Sequence, residues 1–452
     1  MTLSGWGNVI RHDGEVYRPE RIAETRAVLA EVAASPTGTI VARGLGRSYG
    51  DAAINQNGAV LLDTRLDRFT HFDPATGLLE GEAGVSYAEL IDVFLPRGFF
   101  PPVTPGTRFV TLGGALAADV HGKNHHRDGS ISAFVESFEL LTADGQTLRC
   151  SRTENPDAFL ATLGGMGLTG VILTVKLRLS RVESAYVLVD HKKTANLDET
   201  LAAFGAGDGD YQYSVAWIDC LATGDSLGRS VLMRGNHAKA AELPPPFAGE
   251  PLKTRGRRRK NVPFQFPSFA LSPFTVRLFN GRYYAKHADG RHVEHFSDFF
   301  YPLDAIENWN RIYGKRGFYQ YQAVFPFEGG SQCLRGLMEK LSAAGAASFL
   351  AVLKTMGPSG EGILSFPMPG LTLALDVPNN GSQTVDLLRQ LDQIVLRFGG
   401  RVYLAKDACT TDESFRAMYP SLPRFNEIKA RLDPQNRFSS SLSRRLGIGP
   451  TA

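Results

Sequence analysis

His121, Lys123, His125 and His126 crowd the short stretch "HGKNHH", and imidazole beside ammonium can move a proton or steady an anion near neutral pH. A metal site is the first reading to weigh. His121 and His125 are four apart, but Gly122 opposes the helix that would set both on one face, and no acidic or cysteine cluster adjoins to complete a coordination shell. The sequence therefore predicts no metal. It offers His121 as an acid or base and Lys123 as a fixed charge, with a hydrogen-bonded loop rim as the alternative. A second constellation is "GGRVYLAKDACTT", residues 399–411, which reads as a β-branched and aromatic strand ending at Lys406 and Asp407. A lysine at a strand end, between small Ala405 and Ala408, can aim its ammonium into a cleft and stabilise a developing anion. In isolation such a lysine is more often a surface residue.

Glycines mark where backbone must come close to something. In "RGLGRSYGDAA", residues 43–53, Gly44, Gly46 and Gly50 follow an apolar strand-like run. A dinucleotide-binding turn needs a different spacing and must open into a helix. Here "INQNG" signals a turn before a new strand at 59–63, so the order is strand, loop, turn, strand. Two readings remain: an ordinary glycine turn, or a nest of backbone N–H groups around phosphate with Arg43 and Arg47 available for anionic oxygens. Further glycine loops lie in "PGTRFVTLGGALAADVHGKNHH", in "GGMGLTG" and at residues 81–84. So many glycines suit close approach to a large flat cofactor carrying a diphosphate.

These loops need elements to hold them. Pro19, early acids and apolar residues at helical spacing predict a helix over 19–34. "ESFELLTADGQTLRC" reads as a hairpin around Asp144-Gly145, and "GVILTVKLRLS" alternates like a half-buried strand. Between them, "NPDAFLATLGG" reads as a short helix capped by Asn155 with Pro156 at its first position. "SQTVDLLRQLDQIVLRFGG" reads as an amphipathic helix closed by Gly399. The organisation changes near Leu179, and the helical segment after residue 400 is too small to fold alone and should pack back on a larger unit.

With 452 residues, 43% hydrophobic and 21% charged, the composition is that of a soluble globular chain of about two domains. A net charge of +3 is too mild for a nucleic-acid binder. Its one basic cluster, "KTRGRRRK" at 253–260, sits in Pro-rich sequence and reads as a solvated loop or, more sharply, as a patch for anionic headgroups. Four scattered cysteines without CxxC spacing fit a reducing, cytoplasmic setting, and no apolar run reaches the length of a membrane span. Any membrane contact is then peripheral.

The set "RGLGRSYGD", "PGTRFVTLGGALAADVHGKNHH", "GGMGLTG", "YLAKD" and "RLDPQNRFSSSLSRRL" resembles the flavin oxidoreductases of the vanillyl-alcohol oxidase type, over essentially the whole chain. The resemblance implies a two-domain α+β fold: an FAD-binding domain from residues 1–185, joined by the C-terminal segment 401–452, and a substrate-binding domain, 186–400, whose antiparallel sheet covers one face of the flavin. Arg43, Gly44, Leu45, Gly46, Arg47, Ser48 and Tyr49 would wrap the FAD diphosphate with Pro105, Gly106, Thr107, Thr111, Gly113, Gly114, Gly165, Gly167 and Gly170. Members with covalent flavin often carry histidine at the position of Arg47, so FAD here should be held non-covalently. His121, Tyr403 and Lys406 would also reach the cofactor, Lys406 near the pyrimidine end of its ring. His121, Lys123, Tyr49 and Lys406 would form the catalytic set, with Gln320, Gln322, Lys354, Trp217 and Thr372 binding substrate. The branch it resembles most oxidises the 2′-hydroxyl of a polyprenyl-phosphate-linked ribose. This implies a separate NAD(P)-dependent short-chain reductase downstream and a quinone or O2 as electron acceptor. The alternative within the same fold is oxidation of a soluble sugar, alditol or aldonolactone. Ala374, Thr372 and Phe300 depart from the cysteine, asparagine and tyrosine of close relatives, which puts the sugar and lipid carrier in doubt but not the flavin chemistry.

Overall fold

The computed structural model describes residues 2–35, 38–254, 260–267, 271–346 and 348–449. Residues 255–259 of the basic cluster lie outside that set. Three sheets carry the architecture, an α+β arrangement. Val16–Tyr17, Ala59–Leu62 and Ile40–Arg43 form a small parallel sheet with Ala59–Leu62 at its centre. An antiparallel sheet follows, in the order Thr147–Ser151, Val135–Leu141, Val171–Arg178, Leu78–Glu82 and Phe69–Asp73. The third sheet has eight antiparallel strands: Gly290–His295, Tyr186–Thr194, Ser230–His237, Tyr213–Ile218, Ala351–Met356, Gly370–Pro378, Phe318–Phe325 and Arg401–Val402.

The large sheet separates two environments because strand side chains alternate. Tyr319, Tyr321, Ala323, Leu353, Leu373 and Leu375 join the core that includes the helices Gly330–Ala343 and Ser382–Arg397. The alternate positions face the other way. Gln320 pairs with Asp376, Gln322 with Ala374 and Lys354 with Thr372, so these polar residues share the opposite face.

Expected elements recur with local differences. The hairpin and the half-buried strand Val171–Arg178 are present, and Gly399 ends the Ser382–Arg397 helix in the left-handed region at φ 67°. The first helix is Ile22–Ala34, not 19–34: Arg21 is extended and the Glu24 carboxylate reaches back to the Glu20 N–H. Asn155 does not cap the Pro156–Thr162 helix with its side chain. It is left-handed at φ 48°, and its amide donates to the Arg149 carbonyl instead. The strand expected to end at Lys406 stops at Val402; Lys406 and Asp407 both donate to the Tyr403 carbonyl in a tight turn. Tyr403 N–H still donates to the Gln322 carbonyl at 2.9 Å, and its hydroxyl is buried on the Ala118 carbonyl at 2.8 Å.

The C-terminal segment is bound at both of its ends. Arg401–Val402 extends the large sheet, whereas Phe438 bridges Ile40 of the small parallel sheet. Between them Lys429, fully buried, donates to Asp433, to the Phe438 carbonyl and to the Leu168 carbonyl at 2.7, 2.9 and 2.8 Å. Removing one partner of such a pair leaves the other charged and dry. Lys429→Met is therefore expected to cost about 3 kcal/mol or more, read by denaturant unfolding, while Lys429→Met with Asp433→Leu should recover part of the loss.

Candidate functional site

The glycine loop after Ile40–Arg43 lies backbone against backbone with the Lys406 turn. Tyr49 N–H donates to the Ala405 carbonyl at 3.0 Å, and a Cβ on Gly50 would lie 1.8 Å from the Asp407 carbonyl. Gly46 adopts φ 67°, a conformation that favours glycine. Both arginine side chains make contacts within the protein. Arg43 turns inward, donating to the Ala53 and Ser4 carbonyls at 3.1 and 2.6 Å. Arg47 stacks its guanidinium on Trp6, 3.8 Å from the ring centroid, and donates through Nε to the Phe109 carbonyl. The backbone around Gly44, Leu45, Gly46 and Ser48 is the other source of donors for an anion at this loop.

Other glycines divide by what surrounds them. Gly165 and Gly170 press on protein, the Ala161 and Leu141 carbonyls, and serve close packing. Gly113 packs on Ala83, and Gly44 and Gly114 lie against the Thr111 hydroxyl, which caps the Leu112–Ala117 helix by accepting from Gly114 N–H. Thr107, next to Pro105 and Gly106, is held by Asp304 at 2.7 Å. Gly106 and Gly167 differ: a Cβ on either would meet nothing within 4 Å. Their glycines open space rather than fill it.

The "HGKNHH" loop is seated by Asp119, a buried residue at φ 40° whose carboxylate accepts from Ser130, Ser365 and the Ser132 N–H. From there the loop crosses to the large sheet. Ser214 N–H donates to the Lys123 carbonyl, Gly357 N–H to His125, and Lys354 Nζ to the Gly122 carbonyl. His121 is thereby clamped, with Nδ1 3.1 Å from Lys354 Nζ and Nε2 3.0 Å from the Gln322 amide. Among the described residues no group of histidines, cysteines and acids could hold a metal.

Charge is the unusual feature. Lys354 is buried and Lys123 and Lys406 are half-buried, yet none joins an ion pair among the described residues, unlike Lys429 with Asp433. Burial, then the neighbouring Lys123 and Lys406, brings the Lys354 ammonium down to about 7. Burial alone lowers Lys123 and Lys406 to about 8, against the pull of Glu294 and Asp376 respectively. His121 falls well below its ordinary value through burial and then Lys354, so it is neutral. Lys406 Nζ stands over the Tyr49 ring at 4.1 Å, and Lys123 donates to the Phe299 carbonyl. Such a cluster asks for an anion.

Asp376 was not anticipated. It accepts from Gln320 at 2.7 Å and Tyr313 at 3.0 Å, and burial raises it to about 7. The available signal was one acid inside the apolar run "LTLALDVP". Thr372 positions rather than lines: it donates to the Ala323 carbonyl and accepts from the Gln322 amide at 3.3 Å. Trp217 lies on the polar face at the register of Val352, its N–H on the Phe349 carbonyl and its ring 4.6 Å from Tyr283. The site thus combines a neutral imidazole, the Gln320 and Gln322 amides and uncompensated cations with nearby glycine loops. These residues fit FAD, whose diphosphate suits backbone N–H groups and whose ring gains negative charge on reduction.

Comparisons agree. A model of the FAD binding domain matches residues 15–151, and one of D-arabinono-1,4-lactone oxidase matches 377–446. The chain is 40% identical to decaprenylphosphoryl-β-D-ribose oxidase of Mycolicibacterium smegmatis, over 99% of this chain and 97% of that protein. It is 24% identical to L-gulono-1,4-lactone dehydrogenase of Mycobacterium tuberculosis over 99% of each. Against cytokinin dehydrogenase 8 of Oryza sativa it is 30% identical over 36% of this chain and 32% of the other. The cradle is open to test: Gly106→Val should leave the fold intact, by thermal unfolding of flavin-free protein, while weakening FAD about tenfold or more by occluding the space it needs. With its glycine cradle and whole-length similarity, the chain belongs to the family of the decaprenylphosphoryl-β-D-ribose oxidases, FAD-dependent oxidoreductases acting on CH–OH groups.

Proposed function

We propose that the chain oxidises the 2′-hydroxyl of a polyprenylphosphoryl-β-D-ribose to the 2′-keto sugar, the first half of an epimerisation that yields an arabinose donor. The observation that carries this reading is the clamp of His121 between Lys354 and Gln322 on the polar face of the large sheet. Bound FAD supplies the two-electron acceptor for the hydrogen on the carbinol carbon. The chain supplies the rest. Gln320 and Gln322 hydrogen-bond sugar hydroxyls and Trp217 gives wall area. Neutral His121 accepts the hydroxyl proton at Nε2, where the sugar hydroxyl takes the place of the Gln322 amide, and passes its Nδ1 proton to neutral Lys354 through their 3.1 Å contact. Lys123 and Lys406 compensate anionic charge, Lys406 at the cofactor beside Tyr49 and Tyr403.

In this reading residues 1–185 with 401–452 hold FAD non-covalently, Arg47 being unable to form the usual histidine link, and residues 186–400 bind substrate. A separate NAD(P)-dependent short-chain reductase completes the epimerisation, and a quinone or O2 takes the electrons. No described helix is long and apolar enough to cross a membrane. A lipid-linked substrate places the cytoplasmic enzyme at the inner membrane face as a peripheral protein. A second reading, oxidation of a soluble aldonolactone or related sugar, is favoured by the lactone-oxidase match over 377–446.

Anaerobic mixing with polyprenylphosphoryl ribose should bleach the flavin absorbance, whereas bleaching by aldonolactones alone would favour the second reading. Lys406→Ala should slow that bleaching about a hundredfold or more, and Lys406→Arg should rescue little because its planar fork differs in shape. The His121 and Lys354 pair accepts a proton only when Lys354 is neutral. Bleaching should therefore accelerate as pH rises through about 7, and Lys354→Met should flatten that limb in a stopped-flow pH series.

A further inference from the structure

The helix Pro273–Lys286 is inverted relative to an ordinary surface helix. Its buried positions are few and partly polar: Val276 packs on Leu221, and the Asn280 amide donates to Asp219 at 2.8 Å. Its apolar residues face outward. Phe274 is 75% exposed, Leu278 50% and Phe279 46%, three of the six exposed large hydrophobics among the described residues. At 100° per residue, Phe274 and Leu278 stack on one stripe with Ala285 a further two turns along. Arg277 flanks that stripe on one side, Arg282 and Lys286 on the other. The helix carries no acidic residue, and among the described residues none of the three cations joins an ion pair.

An apolar stripe edged by unpaired cations matches the vertical profile of an anionic bilayer surface, with side chains entering the acyl boundary while basic groups remain among headgroups. A protein partner would need matching acids around an apolar groove, whereas a bilayer supplies both features without specific geometry.

The helix also stands at the site. Tyr283 packs against Trp217 at a tilt, ring centroids 4.6 Å apart, Trp217 lying on the polar face of the large sheet, and Pro273 borders a cavity of about 380 Å³ lined in part by Leu271, Ile312, Val377 and Leu387. Tyr313, in the wall of that cavity, donates to Asp376 on the polar face. We propose that the Pro273–Lys286 helix is an interfacial membrane anchor that seats the mouth of the site on anionic lipid. The proposal concerns the surface itself and rests on the lipid-linked substrate reading only for its purpose.

Holoenzyme should cosediment with vesicles containing about one third phosphatidylglycerol in phosphatidylcholine. Phe274→Ser with Leu278→Ser should weaken that partition about tenfold or more at every salt concentration. Arg277→Gln with Arg282→Gln should weaken it chiefly at low salt and flatten its salt dependence. Both variants should retain wild-type flavin content and bleach normally with a short-chain, water-soluble prenylphosphoryl ribose. Equal vesicle binding by wild type and the Phe274→Ser/Leu278→Ser variant, or no binding by wild type, would overturn the anchor. Failure of wild type to bleach with the soluble analogue would count against the substrate reading alone.

Discussion

Three lysine ammonium groups gathered at one site, Lys354 buried and Lys123 and Lys406 half-buried, without carboxylate partners impose a constraint that the rest of the site answers. Lys123, Lys354 and Lys406 each lose hydration on burial, and their ordinary values near 10.5 fall to about 8, 7 and 8. A chain selected for stability alone would pair or remove them. Their persistence is intelligible when an anion arrives. FAD is such an anion: its diphosphate suits backbone N–H groups of glycine loops, and its reduced ring adds charge that lysines can offset.

Holding mutually repelling cations in one place requires rigid supports from separate parts of the chain. Lys354 is fixed by register in the large sheet, opposite Thr372. Lys123 sits on a loop seated by Asp119 and tied across to Ser214 and Gly357. Lys406 is on a turn buttressed by Asp407, which accepts from Arg445, itself paired with Asp51 next to the glycine loop. The C-terminal segment therefore does more than fill a surface. It links the cradle to the Lys406 turn.

Residue types and chain order made much of this legible. The glycine loop between two strands, the hairpin, the Gly399 termination and the "HGKNHH" loop all follow from local chemistry, and Gln320 and Gln322, two apart in one strand, share a face as strand alternation requires. Side-chain direction was less accessible. Arg43 and Arg47 looked available for phosphate, but their partners are carbonyls and Trp6 from the extreme N-terminus, a pairing that depends on tertiary closure. Lys406 looked like a strand end because Val402 and Tyr403 are good strand formers. The chain turns there instead, the Lys406 and Asp407 N–H groups closing on the Tyr403 carbonyl. Asp376 was hidden because an acid in an apolar strand acquires meaning only through the register that sets it against Gln320.

The departures at Thr372 and Ala374 bear on specificity through the same register. Thr372 ties the Gln322 amide to the Ala323 carbonyl by accepting from the one and donating to the other, and the amide in turn contacts His121. A hydroxyl is short, so it fixes Gln322 without reaching further across the face. Ala374, paired with Gln322 on one side and Val352 on the other, adds only a methyl group between them. Thr372 acts on the imidazole clamp through the Gln322 amide and Ala374 through its register beside Gln322, so a change of volume at either alters the space next to His121 while leaving the donors and acceptors of the clamp in place.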